Sequence, residues 1–173
     1  MNRTKVLLTA KYAGYGLLLL ILYVLQTTPG LFELFGAKPM LVVPAAMAIA
    51  MHEGEFAGGL YGAFAGLLCD MSGSMLFGFN GLFIALFCIA GGLLVIYLMH
   101  CNVWNATFYV TLAMLARGGV EFLFGYGMWG YADVWRVFAY RTLPVAVYTS
   151  LITPLLFWVI RKIHGKTQVE IGK

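Results

Sequence analysis

Charged residues are scarce in this sequence, and their scarcity excludes most soluble folds. Only 10% of the 173 residues are Asp, Glu, Lys or Arg, whereas 62% are hydrophobic. Soluble domains carry roughly 25% charged residues. A soluble domain of this size could not bury so much apolar surface, but a lipid bilayer can surround it. The composition therefore predicts an integral membrane protein with a single domain over residues 1–173.

Cysteine is also scarce, and the sequence lacks the common catalytic motifs. Cys69, Cys88 and Cys101 form no CxxC pair, so neither a zinc site nor a disulfide framework is predicted. The run 52–55 resembles the start of a zinc-protease helix, but Phe56 replaces the required second histidine. We also find no phosphate-binding loop, dinucleotide fingerprint or nucleophile elbow. The prediction is a protein without metal, cofactor or catalytic residues, and not an enzyme.

Basic residues lie mostly at the two ends of the chain. A nucleic-acid-binding module would instead distribute them along one face, so no nucleic-acid partner is predicted. Seven basic residues flank the first and last apolar spans, whereas three lie in the predicted outer connections. Because the cytoplasmic segments of membrane proteins carry an excess of Lys and Arg, both termini are predicted to lie in the cytoplasm. Three of the seven, at positions 11, 161 and 162, are expected to extend to the interface by snorkelling. The inner set is Arg3, Lys5, Lys11, Arg161, Lys162, Lys166 and Lys173, and the outer set is Lys38, Arg136 and Arg141.

Six apolar spans predict an all-α, six-helix transmembrane bundle. A helix needs about 20 residues to cross about 30 Å of hydrocarbon, and the second and third spans fall short of that length. They could lie in a thinned region, lie within the bundle, or form a tight hairpin around residues 52–55. The predicted spans are Val6–Leu25, Pro39–Met51, Phe56–Cys69, Gly81–Met99, Ala106–Gly125 and Thr142–Ile163.

Small residues recur every four positions around the third span. Gly54, Gly58, Gly62 and Gly66 would form a smooth stripe on one helix face. Close packing of this kind drives helix association in lipid, where the hydrophobic effect does not. The stripe predicts a helix-packing face, and the packed helix could belong to this chain or to a partner subunit.

A few polar residues interrupt the apolar pattern. Asp70 follows the stripe, and we expect it in the turn 70–74, either accepting backbone N–H bonds or serving as a buried or partner-binding charge. Arg117 and Glu121 lie four residues apart inside the fifth span. A charge at that depth is unfavourable by about 2.5–3.5 kcal/mol. These two residues are predicted either to pair as a structural tie or to have a functional role.

Residues 58–82 carry a resemblance to a known family. The run 58–70 (GGLYGAFAGLLCD) is followed by 72–74 (SGS) and 76–82 (LFGFNGL), which contains Asn80. This pattern resembles the rod shape-determining protein MreD family in its layout, and most specifically between about residues 40 and 95. The resemblance implies a non-enzymatic membrane scaffold of bacterial cell-wall elongation in the cytoplasmic membrane. It implies an MreC-like bitopic partner, a glycan polymerase, a transpeptidase and, indirectly, the actin-like MreB.

An alternative function comes from the architecture of that family. The architecture of the MreD family is similar to that of the substrate-binding subunits of energy-coupling-factor vitamin transporters, which are six-helix bundles of similar size. The alternative prediction is therefore a small-molecule capture subunit, with a pocket near the outer surface. Trp129, Tyr131, Asp133 and Trp135 could line that pocket, or could form an ordinary aromatic belt at the membrane interface.

Overall fold

A computed structural model describes residues 3–30, 38–72, 77–125 and 142–171. Within these ranges the chain folds into six α-helices, which confirms the all-α prediction. They are α1 (Arg3–Thr27), α2 (Val42–Glu53), α3 (Glu55–Met71), α4 (Phe79–Tyr97), α5 (Val103–Gly125) and α6 (Leu143–Ile171).

Four of the helices are long and apolar enough to cross a membrane. The candidate spans are Lys5–Thr27, Phe79–Tyr97, Val103–Phe124 and Leu143–Gly165. The protein is therefore a multi-pass helical membrane protein. The last helix continues to Ile171, beyond the end of the predicted apolar span at Ile163, and the polar residues after that span include no proline that would end it.

The short helix α2 lies at the centre of the bundle. All ten residues from Val42 to Met51 are buried, and α2 contacts each of the other five helices. A helix that is apolar on every side is suited to such a position. Four of the ten residues are alanine, which lets the surrounding helices approach closely. The buried core includes Tyr15 and Leu19 of α1, Ile84 of α4, Val110 of α5, and Phe157 and Ile160 of α6.

A one-residue turn joins α2 to α3. Gly54 has φ of 92°, in the left-handed region that glycine adopts without strain. This backbone conformation ends α2 at Glu53 and starts α3 at Glu55. The two short helices thus form the tight hairpin that was one of the alternatives. Gly54 lies in the turn and not in the helix that carries the other glycines of the stripe, but its backbone packs on α4, where a Cβ added at Gly92 would lie 2.9 Å from the Gly54 carbonyl carbon.

The other three glycines of the stripe pack against helices of the same chain. A Cβ atom added at Gly58 would lie 2.5 Å from the Cβ of Ala50 in α2. One added at Gly62 would lie 2.8 Å from the Cβ of Cys88 in α4. At Gly66 it would collide with the backbone of α4 at residues 80 and 81. The stripe is therefore occupied by packing within the chain.

Side-chain contacts identify which helix ends lie together. Glu53 contacts Lys11 of α1 and His164 of α6, so the start of α1, the α2–α3 turn and the last part of α6 share one end of the bundle. We call this the terminal end. Asp70 and Arg117 both contact Asn80, which places the α3–α4 connection and the later part of α5 at the opposite end.

Candidate functional site

Two buried polar clusters occupy the two ends of the bundle. The first, here named the Asp70 cluster, consists of Asp70, Asn80, Arg117 and Glu121. Its centre is the Asp70 carboxylate, which is 4% exposed. Oδ1 accepts hydrogen bonds from the backbone N–H of Asn80 (3.1 Å) and from its side-chain amide (2.9 Å). Oδ2 accepts from the backbone N–H groups of Gly78 and Gly81, each at 3.0 Å.

Asp70 lies in the last turn of α3, and its expected place in the turn 70–74 is wrong. The predicted backbone N–H donors exist, but they belong to the first turn of α4. A carboxylate is disfavoured at the C-terminus of its own helix and favoured at the N-terminus of another. Asp70 therefore acts as a cap for α4, whose own N-cap residue, Gly78, offers no side chain.

Arg117 connects the capped helix to α5. Its Nε donates to the Oδ1 of Asn80 at 2.5 Å, and its Nη2 lies 3.3 Å from the Oε2 of Glu121. The arginine side chain is 8% exposed, whereas that of Glu121 is 45% exposed. The sequence-predicted polar residues therefore meet in one place, and Arg117 pairs with Glu121 at the predicted i, i+4 spacing.

The Glu53 cluster, at the terminal end, consists of Lys11, Tyr15, Glu53 and His164. Three donors converge on the Oε1 of Glu53. The Lys11 ammonium lies at 2.5 Å, His164 Nδ1 at 2.6 Å and the Tyr15 hydroxyl at 2.9 Å. A carboxylate oxygen can only accept, so the tyrosine hydroxyl and the His164 Nδ1–H donate. This single carboxylate joins α1, α2 and α6.

Sequence reasoning missed the Glu53 cluster. Lys11 was expected to snorkel to the interface, but its side chain is 3% exposed and points to Glu53, so that prediction is wrong. The buried carboxylate of Glu53 offsets part of the cost of removing the Lys11 ammonium from water. The available signal was a lysine in one apolar span and a glutamate at the end of another.

The Glu53 carboxyl lies outside the four candidate spans, at the end of α2. Burial acts to raise its pKa, but hydrogen bonds from Lys11, His164 and Tyr15 outweigh burial and lower the pKa below its ordinary value. The neighbouring His52 has a pKa lowered by burial, and its Nδ1 donates to the carbonyl of Ala48 at 2.8 Å. The hydrogen bonds to Glu53 thus favour its ionised form, and burial favours the neutral form of His52.

The two clusters are arranged to hold helices together. Within the ranges that the structure describes, no three His, Cys, Asp or Glu side chains are grouped so that they could hold a metal ion. The described residues also leave no buried side-chain nitrogen or oxygen without a hydrogen-bond partner. Full satisfaction of buried polar groups is typical of networks that fix a structure.

The predicted pocket residues lie outside the described residues. This applies to Trp129, Tyr131, Asp133 and Trp135, and also to the outer basic residues Arg136 and Arg141.

Comparisons with protein-family models, with curated proteins and with solved structures found no match to this chain. Function is therefore inferred below from the residues of the chain itself.

Proposed function

We propose that this protein is a non-enzymatic membrane scaffold of the bacterial cell-elongation machinery. In this proposal it lies in the cytoplasmic membrane with both termini in the cytoplasm, as the distribution of basic residues predicts. It holds the transmembrane anchor of an MreC-like partner next to the enzymes of lateral wall synthesis. Those enzymes are a glycan polymerase and a transpeptidase, and MreB contacts would be indirect.

One observation supports the proposal most. The residues on which the MreD resemblance depends form a single packing unit. Gly66 packs on the backbone of Asn80 and Gly81, and Asp70 accepts hydrogen bonds from both residues. The pattern is therefore explained by helix packing and capping, which a scaffold needs, and requires no reaction chemistry.

The filled centre of the bundle also favours a scaffold over a capture subunit. The ten consecutive buried residues of α2 occupy the position where a ligand between helices would bind. The similarity to vitamin-capture subunits therefore stays an alternative that depends on residues outside the described ranges.

The outward face of α1 is the surface that we assign to the partner's anchor. Ala10, Ala13 and Gly14 are exposed there, and a surface cleft of about 500 Å³ is lined by residues of this helix from Lys5 to Ala13. Small residues allow another helix to approach closely in lipid. The stripe on α3 cannot serve this purpose because α2 and α4 already cover it.

Affinity purification from native membranes in mild detergent tests the proposal. The wild-type chain should recover an MreC-like protein and wall-synthesis enzymes, identified by mass spectrometry. Gly14→Leu should lower the recovery of the MreC-like protein several-fold, because it fills the exposed small-residue face. Gly119→Leu is a matched control, since a Cβ added at either glycine meets no atom within 4 Å.

The same experiment can overturn the proposal. Recovery of a transporter coupling subunit with its ATPases would support the capture function instead. Equal recovery of the MreC-like partner with Gly14→Leu and with wild type would remove α1 as the contact surface. Equal losses with both leucine variants would indicate a general effect on the fold.

A further inference from the structure

The terminal end of α6 carries two cations and a tryptophan on one face. Trp158, Arg161 and Lys162 line a surface cleft of about 360 Å³. Positions three and four residues apart are neighbours on a helix surface, which explains the grouping. The Lys162 ammonium lies 4.9 Å from the centroid of the Trp158 ring, within the range of a cation–π contact. Trp158 is 58% exposed, and both cations are exposed.

The two cations have no carboxylate partner in the described part of the chain. Its ion pairs join Lys11 and His164 to Glu53, and Arg117 to Glu121. Glu53, which lies at the same end of the bundle, is already occupied by three donors. Arg161 and Lys162 therefore present positive charge on the outer surface of α6 that no described carboxylate compensates.

The uncharged stretch of α6 that precedes Arg161 and Lys162 has nearly the length needed to cross the hydrocarbon layer. The stretch 143–160 contains no charged residue. At 1.5 Å per residue it extends about 27 Å, close to the thickness of the hydrocarbon layer. Arg161 and Lys162 follow directly, so a bilayer that covers this stretch would have its phosphates at their level. Trp158 lies one turn earlier, and tryptophan is enriched at this boundary.

We propose that Trp158, Arg161 and Lys162 form a binding site for the phosphate of an anionic phospholipid. The planar guanidinium of Arg161 can donate two parallel hydrogen bonds to phosphate oxygens. Lys162 adds a second positive charge, and basic clusters at this level are typical of anionic-lipid sites. The exposed Trp158 ring provides an apolar surface for the lipid beneath its headgroup. This inference does not depend on the proposed scaffold function.

Native mass spectrometry of the purified full chain tests the site. The protein would be exposed to equal amounts of phosphatidylglycerol and phosphatidylcholine, and the ratio of retained lipids measured. Wild type should retain phosphatidylglycerol preferentially. Arg161→Lys should reduce that preference about fivefold, because it keeps the charge but loses the bidentate geometry. Trp158→Leu should also reduce it, without changing any charge.

Lys5→Gln is the control for diffuse electrostatic attraction. Lys5 is a basic residue near the start of α1, at the same end of the bundle, and its loss should leave the preference unchanged within about twofold. Size-exclusion profiles and melting temperatures in phosphatidylcholine should be unchanged for all three variants, since their side chains are exposed. Retention at wild-type levels by both Arg161→Lys and Trp158→Leu would overturn the proposal.

Inorganic phosphate separates the two possible sources of the bound group. In the lipid proposal, millimolar phosphate should not displace phosphatidylglycerol, because Trp158 contributes only to binding of the lipid. Complete displacement by phosphate would identify a small-anion site and contradict the lipid assignment. A loss of preference with Lys5→Gln as large as that with Arg161→Lys would contradict it as well.

Discussion

The Glu53 and Asp70 clusters both hold three helices around a buried carboxylate, but they hold different sets. The Glu53 cluster joins the first two helices, α1 and α2, to the last helix, α6. The Asp70 cluster joins the consecutive helices α3, α4 and α5. Each of the six helices belongs to one cluster. The central helix α2 then connects the two halves, because it contacts α3, α4 and α5 and its Ala50 packs against Gly58 of α3.

The donors of the two carboxylates also differ. Glu53 receives its hydrogen bonds from side chains, one of which is the buried Lys11 ammonium. Asp70 accepts the four hydrogen bonds described above, and three of them come from backbone N–H groups at the start of α4. Loss of the first carboxylate therefore leaves a buried cation without its counter-ion. Loss of the second leaves helix N–H groups without an acceptor, and Arg117 still contacts Asn80 and Glu121.

Glu53→Gln should have the largest effect on stability. The Lys11 side chain is 3% exposed and would stay buried without its counter-ion. Breaking a buried ion pair by removing one partner is unfavourable by about 3–5 kcal/mol. We expect a loss of this size in the free energy of unfolding, measured by denaturant titration in detergent micelles. The double variant Lys11→Met with Glu53→Gln should recover much of it, because the uncompensated charge is gone.

The pH dependence provides a second check on Glu53. Its folded-state pKa is lowered relative to the ordinary value of 4.5. The carboxylate therefore contributes stability fully above that ordinary pKa, and the contribution is lost as pH falls through the lowered pKa. Glu53→Gln should lack this part of the acid dependence. An unchanged acid-unfolding profile in the variant would contradict the assigned role of the Glu53 carboxylate.

Asp70→Asn should have the next largest effect. The asparagine amide group would point N–H donors at the N–H donors of α4, where the carboxylate accepts hydrogen bonds through both oxygens. Because hydrogen bonds to a charged group contribute about 1.5–3 kcal/mol, we expect a loss of about 2–3 kcal/mol. Hydrogen exchange should be faster at the amides of Gly78, Asn80 and Gly81 than in wild type. Met71→Leu, at an exposed neighbour, is the control and should change neither quantity.

The members of the Asp70 cluster, though not their grouping, could be identified from the sequence because they stand out locally. Arg117 and Glu121 are charges in an apolar span at a spacing that brings helical neighbours together. Asp70 and Asn80 flank one short connection. The helix that supplies the backbone donors could not be predicted, because capping across two helices leaves no periodic pattern in the sequence.

The Glu53 cluster could not be predicted in the same way. Glu53 contacts residues 42 positions earlier and 111 positions later, which helical periodicity does not relate. Lys11 taken alone fits the usual behaviour of a basic residue near a span end. Composition and apolar runs therefore predicted the helices, whereas the partner of each buried charge depends on how the helices assemble.

Gly66→Ala tests the packing of α3 on α4 within the half that the Asp70 cluster holds. An added methyl group would collide with the backbone of Asn80 and Gly81, which cannot move aside as a flexible side chain could. Overpacking of this kind costs about 1–3 kcal/mol, so we expect a loss of about 2 kcal/mol in micelles. Gly119→Ala is the matched control. No atom lies within 4 Å of its added Cβ, and alanine favours the helix, so it should be neutral or slightly stabilising. Equal effects of the two variants would contradict the packing assigned to the stripe.

Glu121→Gln should have the smallest effect of the series. Its side chain is 45% exposed, and it pairs with Arg117 within one helix. Pairs of this kind contribute less than about 1 kcal/mol. Arg117 would keep its hydrogen bond to Asn80, which itself donates to Asp70. The unfolding free energy measured in micelles should therefore change by less than half of the Asp70→Asn effect. If Glu121→Gln lowered the free energy of unfolding as much as Asp70→Asn does, the buried charge of Arg117 would require both carboxylates, as the charge of Lys11 requires Glu53. The two clusters would then depend in the same way on neutralising a buried cation, and the capping of α4 would be the lesser role of Asp70.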